Sequence, residues 1–321
     1  MDQQTDNEYV KDIIKKSLGV SPENIPPEFQ QIAWNVPRWH LLMLQDKPRL
    51  EYYSSIIRPK VKDKIVLDVG TGSGILSYLA LKWGAKKVYS VEENPALQAV
   101  YRHLMRDHLE SGRAELISDD AQFLRLGNFS DGPPDVIVHE LFGAYGMGEN
   151  LIPIFRALSS EGILTDKTEI VPDLLEAWMR PVVSDQLSQD DQIEAFEGYP
   201  LNELNVFGHQ NFWEQDYSAS LASNWQTVGQ SQLLFRCYLR DLILPEKVTI
   251  AFEASSASHI KLWMNIIDKN TGLVHANDHQ ALPSHWSNSY LSIPPWLRGS
   301  GFNVEFKIHP DRIEVHRFSK N

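Results

Sequence analysis

Short apolar, β-branched runs recur in the first half of the chain at Ile65–Val69, Val88–Val91, Ala114–Ile117 and Val136–Val138, separated by helix-like stretches. Runs that stay apolar throughout are strands covered on both faces, and strands alternating with helices build a parallel sheet. Ahead of them, Leu41, Leu42, Leu44, Ile56 and Ile57 recur at helical spacing, with breaks at Pro26-Pro27 and Pro37. Residues 1–60 therefore read as a helical lead-in. After Val171-Pro172 the pattern changes to alternating strands closed by turn signals. Examples are Lys247–Glu253, Ile260–Ile267 before Asp268-Lys-Asn-Thr-Gly272, and Phe302–Ile308 before His309-Pro-Asp-Arg312. That pattern predicts antiparallel structure. The acidic stretch at about 184–212 carries Tyr199, Leu201, Leu204, Val206 and Phe207 without a clear period, and reads as an arm or insertion.

The expected organisation is a helical segment at 1–60, a nucleotide-type α/β domain at 61–170 and a second, antiparallel β domain at 171–321. A length of 321 residues suits two domains that each bury a core. The formal charge of −12 favours cationic partners and argues against nucleic acid. Cys237 is the only cysteine, so no internal disulfide and no cysteine-held zinc is expected. The polar amino terminus and the lack of a long apolar run predict a soluble, cytoplasmic protein without a membrane span.

Candidate chemistry falls at the carboxyl ends of the predicted strands, where α/β sheets bind ligands. Asp68-Val-Gly-Thr-Gly-Ser-Gly74 follows the first strand, and Gly70, Gly72 and Gly74 let the backbone turn tightly against a ligand. A dinucleotide fingerprint would need glycine at position 75, where the chain has Ile75, which disfavours a nicotinamide dehydrogenase. Glu92, at the end of the second strand, suits the two hydroxyls of a ribose. Asp120, after the third, suits an adenine amino group. Together they make S-adenosylmethionine the best cofactor. Beyond the fourth strand, His139-Glu-Leu-Phe-Gly-Ala-Tyr-Gly-Met-Gly-Glu149 holds Glu140 and Glu149 across a glycine-rich loop. Paired carboxylates grip a flat cation by bidentate hydrogen bonds, which points to a guanidinium as substrate. His275-Ala-Asn-Asp278-His279 has metal-like spacing, but the preceding Gly272 turn and the absence of apolar periodicity make it a polar loop, and no metal is expected.

Four separated motifs together resemble the protein arginine methyltransferases. They are His40-Leu-Leu-Met-Leu-Gln-Asp46-Lys-Pro-Arg49-Leu-Glu-Tyr-Tyr53, the glycine loop within Val66–Ser77, the loop from Glu140 to Glu149, and Ser284-His285-Trp286. The resemblance runs from about His40 to the carboxyl terminus. It implies a Rossmann-like class I methyltransferase domain followed by an antiparallel β-barrel, with an inserted dimerisation arm that suits residues 184–212 and a head-to-tail homodimer. It also implies site roles. Arg49 would pair with the methionyl carboxylate of the cofactor, with His40, Met43, Asp68, Glu92, Asp120 and Ala121 lining the cofactor. Glu140 and Glu149 would hold the guanidinium beside Tyr53 and Trp286, and His285 with Asp46 would close the pocket and receive the product proton. The chain departs from the family pattern at Trp34-Asn-Val-Pro-Arg-Trp39, at Gln122 and at His139, which replaces the usual Ser or Thr and would alter the cofactor-side wall. The double-glutamate loop is most similar to the monomethylating branch.

The resulting expectation is S-adenosylmethionine-dependent monomethylation of arginine, in a protein, a peptide or free. The alternatives are methylation of another small guanidine or amine in a biosynthetic pathway, and a noncatalytic dimeric scaffold, which would not require Glu140, Glu149 and His285.

Overall fold

The computed structural model describes residues 36, 39–143, 145–190, 193–195, 197–202, 204–205, 212–215, 225–253, 256–278, 286 and 288–321. Most of the predicted lead-in, much of the arm, and both Ser284 and His285 lie outside the described residues.

Two helices open the described chain, α1 (Trp39–Gln45) and α2 (Lys47–Ile57). The side chain of Asp46 caps α2 by accepting from Arg49 N at 3.1 Å, and Pro48 sits in the first turn, where its missing N–H costs no bond. Arg49, Tyr52, Tyr53, Ile56 and Ile57 form its buried face at the spacing of one helical stripe.

Five parallel strands follow in the order β3-β2-β1-β4-β5. They are β1 (Ile65–Val69), β2 (Lys87–Val91), β3 (Ala114–Ile117), β4 (Val136–His139) and β5 (Glu169–Val171). Helices α3 (Ile75–Lys82), α4 (Pro95–Leu104), α5 (Arg106–Glu110) and α6 (Leu151–Ser160) connect and cover them. The strand order reverses between β1 and β4, so the crevice for a ligand opens beyond Val69 and His139, which are paired in register. The central strands β1 and β4 are almost wholly buried because helices shield both sides of the sheet.

The second half is antiparallel. Strands β6 (Leu174–Val183), β7 (Phe212–Gln215), β8 (Gln226–Thr227), β9 (Gln232–Tyr238), β11 (His259–Asp268), β12 (Leu273–Ala276) and β13 (Asn288–Ser292) form one curled sheet. Strands β10 (Lys247–Phe252), β14 (Phe302–Ile308) and β15 (Ile313–Lys320) form a second. Their inner faces share one continuous apolar core with the parallel sheet, giving a Rossmann-like domain joined to a barrel-like one. A short helix, α7 (Asp185–Asp190), begins the arm.

Alternation along β11 has an unexpected second half. Ile260, Leu262, Met264 and Ile266 enter the core, yet Lys261 and Trp263 on the other face are also buried. Trp263 stacks on Trp178, Arg180 lies over Trp263, and Lys261 and Arg180 both bind Asp278. The sequence reading of residues 275–279 as a polar loop is corrected in part: His275 and Ala276 lie in β12, paired with Ile266 and Asn265, and His275 is buried. Among the described residues no group of His, Cys, Asp and Glu is arranged to hold a metal ion.

Candidate active site

The glycine loop turns from β1 into α3 with Gly70, Gly72 and Gly74 all at positive φ. At Gly74 the requirement is doubled, since its φ is +88° and a Cβ would lie 2.8 Å from the Tyr101 ring. Beneath the loop runs a chain of buried hydrogen bonds. Asp68 Oδ2 accepts from Thr71 Oγ1 at 2.7 Å and Ser77 Oγ at 2.6 Å, Ser77 and Ser90 hydroxyls lie 2.7 Å apart, and Ser90 meets the Tyr101 hydroxyl at 2.6 Å. Sequence reading missed Ser77, Ser90 and Tyr101. Their signal was a hydroxyl at a core position of a strand or helix, which needs a partner.

Burial pushes the Asp68 carboxyl up to about 6 against the hydrogen bonds of Ser77 and Thr71. Its Oδ1 is buried and has no partner among the described residues. An orphaned acceptor at the glycine loop suits the ammonium of an amino-acid cofactor. Glu92 ends β2, accepting from Gly72 N at 2.9 Å on one oxygen and from Asn94 N at 2.8 Å on the other. Burial raises its pKa, opposed by those backbone bonds. Each oxygen retains a lone pair, so Glu92 fits a ribose diol while it braces the loop. The His40 imidazole lies over Gly72, 3.6 Å from where a Cβ would stand. These residues fit S-adenosylmethionine. Asp120 is differently occupied: its carboxylate caps the turn Ala121–Phe123 by accepting from Gln122 N at 2.8 Å, with Ala121 buried beside it.

Glu140 leaves the end of β4 and meets Arg49 of α2 through both carboxylate oxygens, Nε to Oε1 and Nη2 to Oε2. The structure therefore pairs two residues that the sequence reading assigned to different ligands. Arg49 Nη1 donates to the Met43 carbonyl at 2.8 Å, and its guanidinium lies 5.6 Å from the centre of the Tyr53 ring. Three of its five N–H groups are thus engaged and two remain for a carboxylate. The burial of Arg49 works against its charge, but the Glu140 carboxylate outweighs it and raises the pKa.

The double-glutamate loop folds back on itself. Gly146 N donates to the Gly143 carbonyl at 2.9 Å, and a Cβ at Gly143 would lie 2.1 Å from the Met147 carbonyl oxygen. Glu149 and Asn150 hold left-handed backbone, φ 48° and 54°, a strain of about 1–2 kcal/mol for a non-glycine residue. Glu149 is reachable by solvent, yet enough protein rings it that desolvation, and then the Glu140 charge, push its pKa up to about 8. Trp286 is buried and anchors this loop, its Nε1 donating to the Phe142 carbonyl at 2.9 Å. Its ring centre is 5.5 Å from that of His275, which is 5.5 Å from that of Tyr52. Tyr53 donates its hydroxyl to the His139 carbonyl at 3.2 Å. The structure thus gathers Arg49, Tyr53, Glu140, Glu149 and Trp286 beside the glycine loop, while His285 lies outside the described residues. Asp46 is present as the buried cap of α2.

His139 does not form the cofactor-side wall expected from the sequence. It is wholly buried, and its Nε2 lies 3.0 Å from the Pro172 carbonyl. It faces the junction with the barrel.

Known proteins resemble this chain in sequence and in fold. Residues 49–142 match the family model of ribosomal protein L11 methyltransferase, PrmA. An arginine N(omega)-methyltransferase of Streptomyces achromogenes subsp. streptozoticus is 26% identical over 287 residues, 86% of this chain and 78% of that protein. An uncharacterised protein of Methanocaldococcus jannaschii is 30% identical over 192 residues, 55% of this chain and 71% of that protein. The fold is similar to that of the Trypanosoma brucei PRMT1 enzyme-prozyme heterotetrameric complex with AdoHcy, with a TM-score of 0.73 at 19% identity over 90% of this chain and 98% of that one. Sequence relatives, topology and the convergence of the motifs on one crevice give a single answer: the chain belongs to the protein arginine methyltransferase family of S-adenosylmethionine-dependent enzymes.

Proposed function

We propose that this protein transfers a single methyl group to a terminal guanidino nitrogen of arginine, and that Glu140 and Glu149 hold the substrate guanidinium. The carrying observation is that Glu140 already grips a guanidinium, that of Arg49, while Glu149 stands across the loop with a pKa raised first by desolvation and then by the charge of the same carboxylate. A carboxylate oxygen can accept from more than one donor, so a carboxylate that holds one guanidinium can also contact a second. A substrate cation between the two acids relieves their repulsion, draws Glu149 into its charged form and concentrates positive charge on the nitrogens they touch.

Arg49, with two free N–H groups, suits the methionyl carboxylate, Asp68 its ammonium and Glu92 the ribose. S-adenosylmethionine, when bound, supplies an electrophilic methyl group on a sulfonium. Glu140 and Glu149 then orient one nitrogen for in-line attack, a positioning effect worth up to about 7–11 kcal/mol, and their charges offset the approach of two cations. The methylated nitrogen must shed a proton, and Asp46 with His285 is the proposed acceptor.

Arginine in a peptide and free arginine share this chemistry. The Streptomyces relative, named for arginine itself, supports the small-molecule reading. We also propose a cytoplasmic homodimer built through the arm at 184–212, where Ile193, Tyr199 and Leu204 are exposed; light scattering of the purified protein tests it. The proposed division near residue 170 is supported by β5, which ends the parallel sheet at Val171. No helix among the described residues is long and apolar enough to cross a membrane.

The deciding experiment is mass spectrometry after incubation with deuterated-methyl S-adenosylmethionine and an equimolar mixture of free arginine and an arginine-rich peptide. One labelled methyl on either supports the proposal and names the substrate. Two methyl groups would overturn monomethylation, and no label on either would overturn the arginine assignment.

A further inference from the structure

We infer that His139 is a positioning residue for Glu140, acting as a side-chain rivet between the last residue of β4 and the first residue of the passage into the barrel. The inference rests on the proposed role of Glu140. Strands β4 and β5 run parallel with Val138 opposite Val171, and one further step in that register sets His139 opposite Pro172. Proline has no N–H to give a ladder, so backbone pairing has to stop at this step. The imidazole takes over there. Its Nε2 is 3.0 Å from the Pro172 carbonyl, which can only accept, so Nε2 carries the proton and the ring is the neutral Nε2–H tautomer.

The surroundings agree with that tautomer. His139 is wholly buried, desolvation pushes its pKa down to about 4, and its Nδ1 has no partner among the described residues. A ring needed only for bulk would be better served by an apolar side chain, because an unpaired buried nitrogen is unfavourable. The donor on Nε2 is what distinguishes histidine from leucine at this place.

Three links carry the position of His139 into the site. Its backbone continues directly into Glu140. Its own carbonyl accepts the Tyr53 hydroxyl at 3.2 Å, and Tyr53 packs under the Arg49 guanidinium that Glu140 holds. Its ring lies 5.1 Å from the Phe142 ring, and the Phe142 carbonyl is the one Trp286 anchors. Phe155 of α6 closes the other side, edge-on at 4.9 Å. Immediately past Pro172, Asp173 N donates to the Ile267 carbonyl in β11 at 3.3 Å. One hydrogen bond therefore fixes the start of the double-glutamate loop against the barrel that supplies Trp286.

The test compares His139→Leu, which keeps bulk and loses the donor, with His139→Gln, whose side-chain amide can restore a donor to Pro172. Turnover of arginine or the arginine-rich peptide, KM, thermal midpoint and affinity for S-adenosylhomocysteine are measured for both. The expected result is kcat lowered roughly tenfold to a hundredfold in the leucine variant, the loss that follows displacement of a reacting group by about 1 Å. Cofactor affinity should stay within threefold, and the glutamine variant should recover most of the turnover. Leucine turnover within threefold of the parent, or equal loss in both variants, overturns the inference. So does loss of cofactor affinity in step with turnover, which would mark a general scaffold defect.

A crystal structure of the leucine variant tests the geometry without turnover. A displaced Glu140–Arg49 pair is expected, and an unmoved pair and loop overturn the inference. If the parent protein methylates neither substrate, the functional proposal fails on its own evidence while the crystallographic comparison still decides the rivet.

Discussion

Glu149 provides a sharp pH prediction. Its carboxyl titrates at about 8 before substrate binds, so at pH 7 only roughly a tenth of the protein carries the charge that a guanidinium needs. Arginine, charged throughout this range, binds the ionised form, and binding must release a proton. Raising the pH from 7 to 9 removes a penalty of about 1.4 kcal/mol per unit until the group is ionised. Because solvent reaches Glu149 and screens part of the shift, the expected gain in kcat/KM is between about threefold and tenfold.

Titration calorimetry of arginine in two buffers of different ionisation enthalpy should show close to one proton released per guanidinium at pH 7 and almost none at pH 9.5. Lys261 also titrates at about 8, its pKa lowered by burial although Asp278 holds it up, so the site needs a control. Glu149→Gln should abolish proton release, and Lys261→Met should leave it. A flat profile between pH 6.5 and 9, or proton release that survives Glu149→Gln, refutes the reasoning. The native pKa of Glu149 lies above its unfolded value of 4.5, so the unfolded state loses its proton first. This carboxyl therefore lowers stability progressively as pH rises from about 4.5 to about 8.

Three further outcomes follow from the geometry. Arg49→Met removes the guanidinium paired with the largely buried Glu140 carboxylate and should cost about 3–5 kcal/mol in denaturant unfolding, with cofactor affinity falling as well; unchanged affinity would disconnect Arg49 from the methionyl carboxylate. Glu92→Gln should weaken S-adenosylhomocysteine at least tenfold by calorimetry, in line with about 1.5–3 kcal/mol for a hydrogen bond to a charged acceptor, and a change under threefold would count against the ribose assignment. Gly74→Ala must hold φ +88° with its methyl against Tyr101, so a loss of about 2–4 kcal/mol is expected from the backbone and overpacking terms together; wild-type stability would show that the loop relaxes freely.

The strands that were legible are those whose whole environment is apolar. β1 and β3 occupy the runs read from the sequence, and β2 and β4 extend theirs by a residue at one end, because strands covered by helices keep a mostly apolar run in which single polar residues such as Asp68 and Ser90 do not hide the pattern. β14 was equally plain, its inward residues Phe302, Val304, Phe306 and Ile308 alternating with half-buried ones. β6 falls where alternating strands were expected after Pro172, yet the role of its second face was not legible: Glu176, Trp178 and Arg180 alternate with Leu175, Ala177 and Met179 on a strand largely buried on both sides. Only the stack of Trp178 on Trp263 and the Arg180 contact with Asp278 explain why those residues are there.

In the site, the positions of Asp68, Glu92, Glu140 and Glu149 could be read from motif and strand end. Their partners could not. The meeting of Arg49 with Glu140 spans 91 residues, and His139 became intelligible only with Pro172 opposite it. Local pattern fixes where a strand stops, whereas contact across the fold decides what its last side chain touches.

Helix α2 has a kinetic consequence. Tyr52 donates to the Ile266 carbonyl at 3.0 Å across 214 residues, and Lys60 binds the buried Asp268 across 208. Some partners of this helix and of the turn after it therefore emerge late in synthesis, from the barrel, although Glu140 and His139 precede them. Loop closure over such spans is slow, and a lone helix of 11 residues is marginal in water. The helix that bears Arg49 is among the earliest described pieces to be made and among the last to settle, so methyl-donor binding should become competent only when β11 and β12 have docked. Pulse-labelled hydrogen exchange during refolding would see protection on α2 appear with that of β11, well after the parallel sheet.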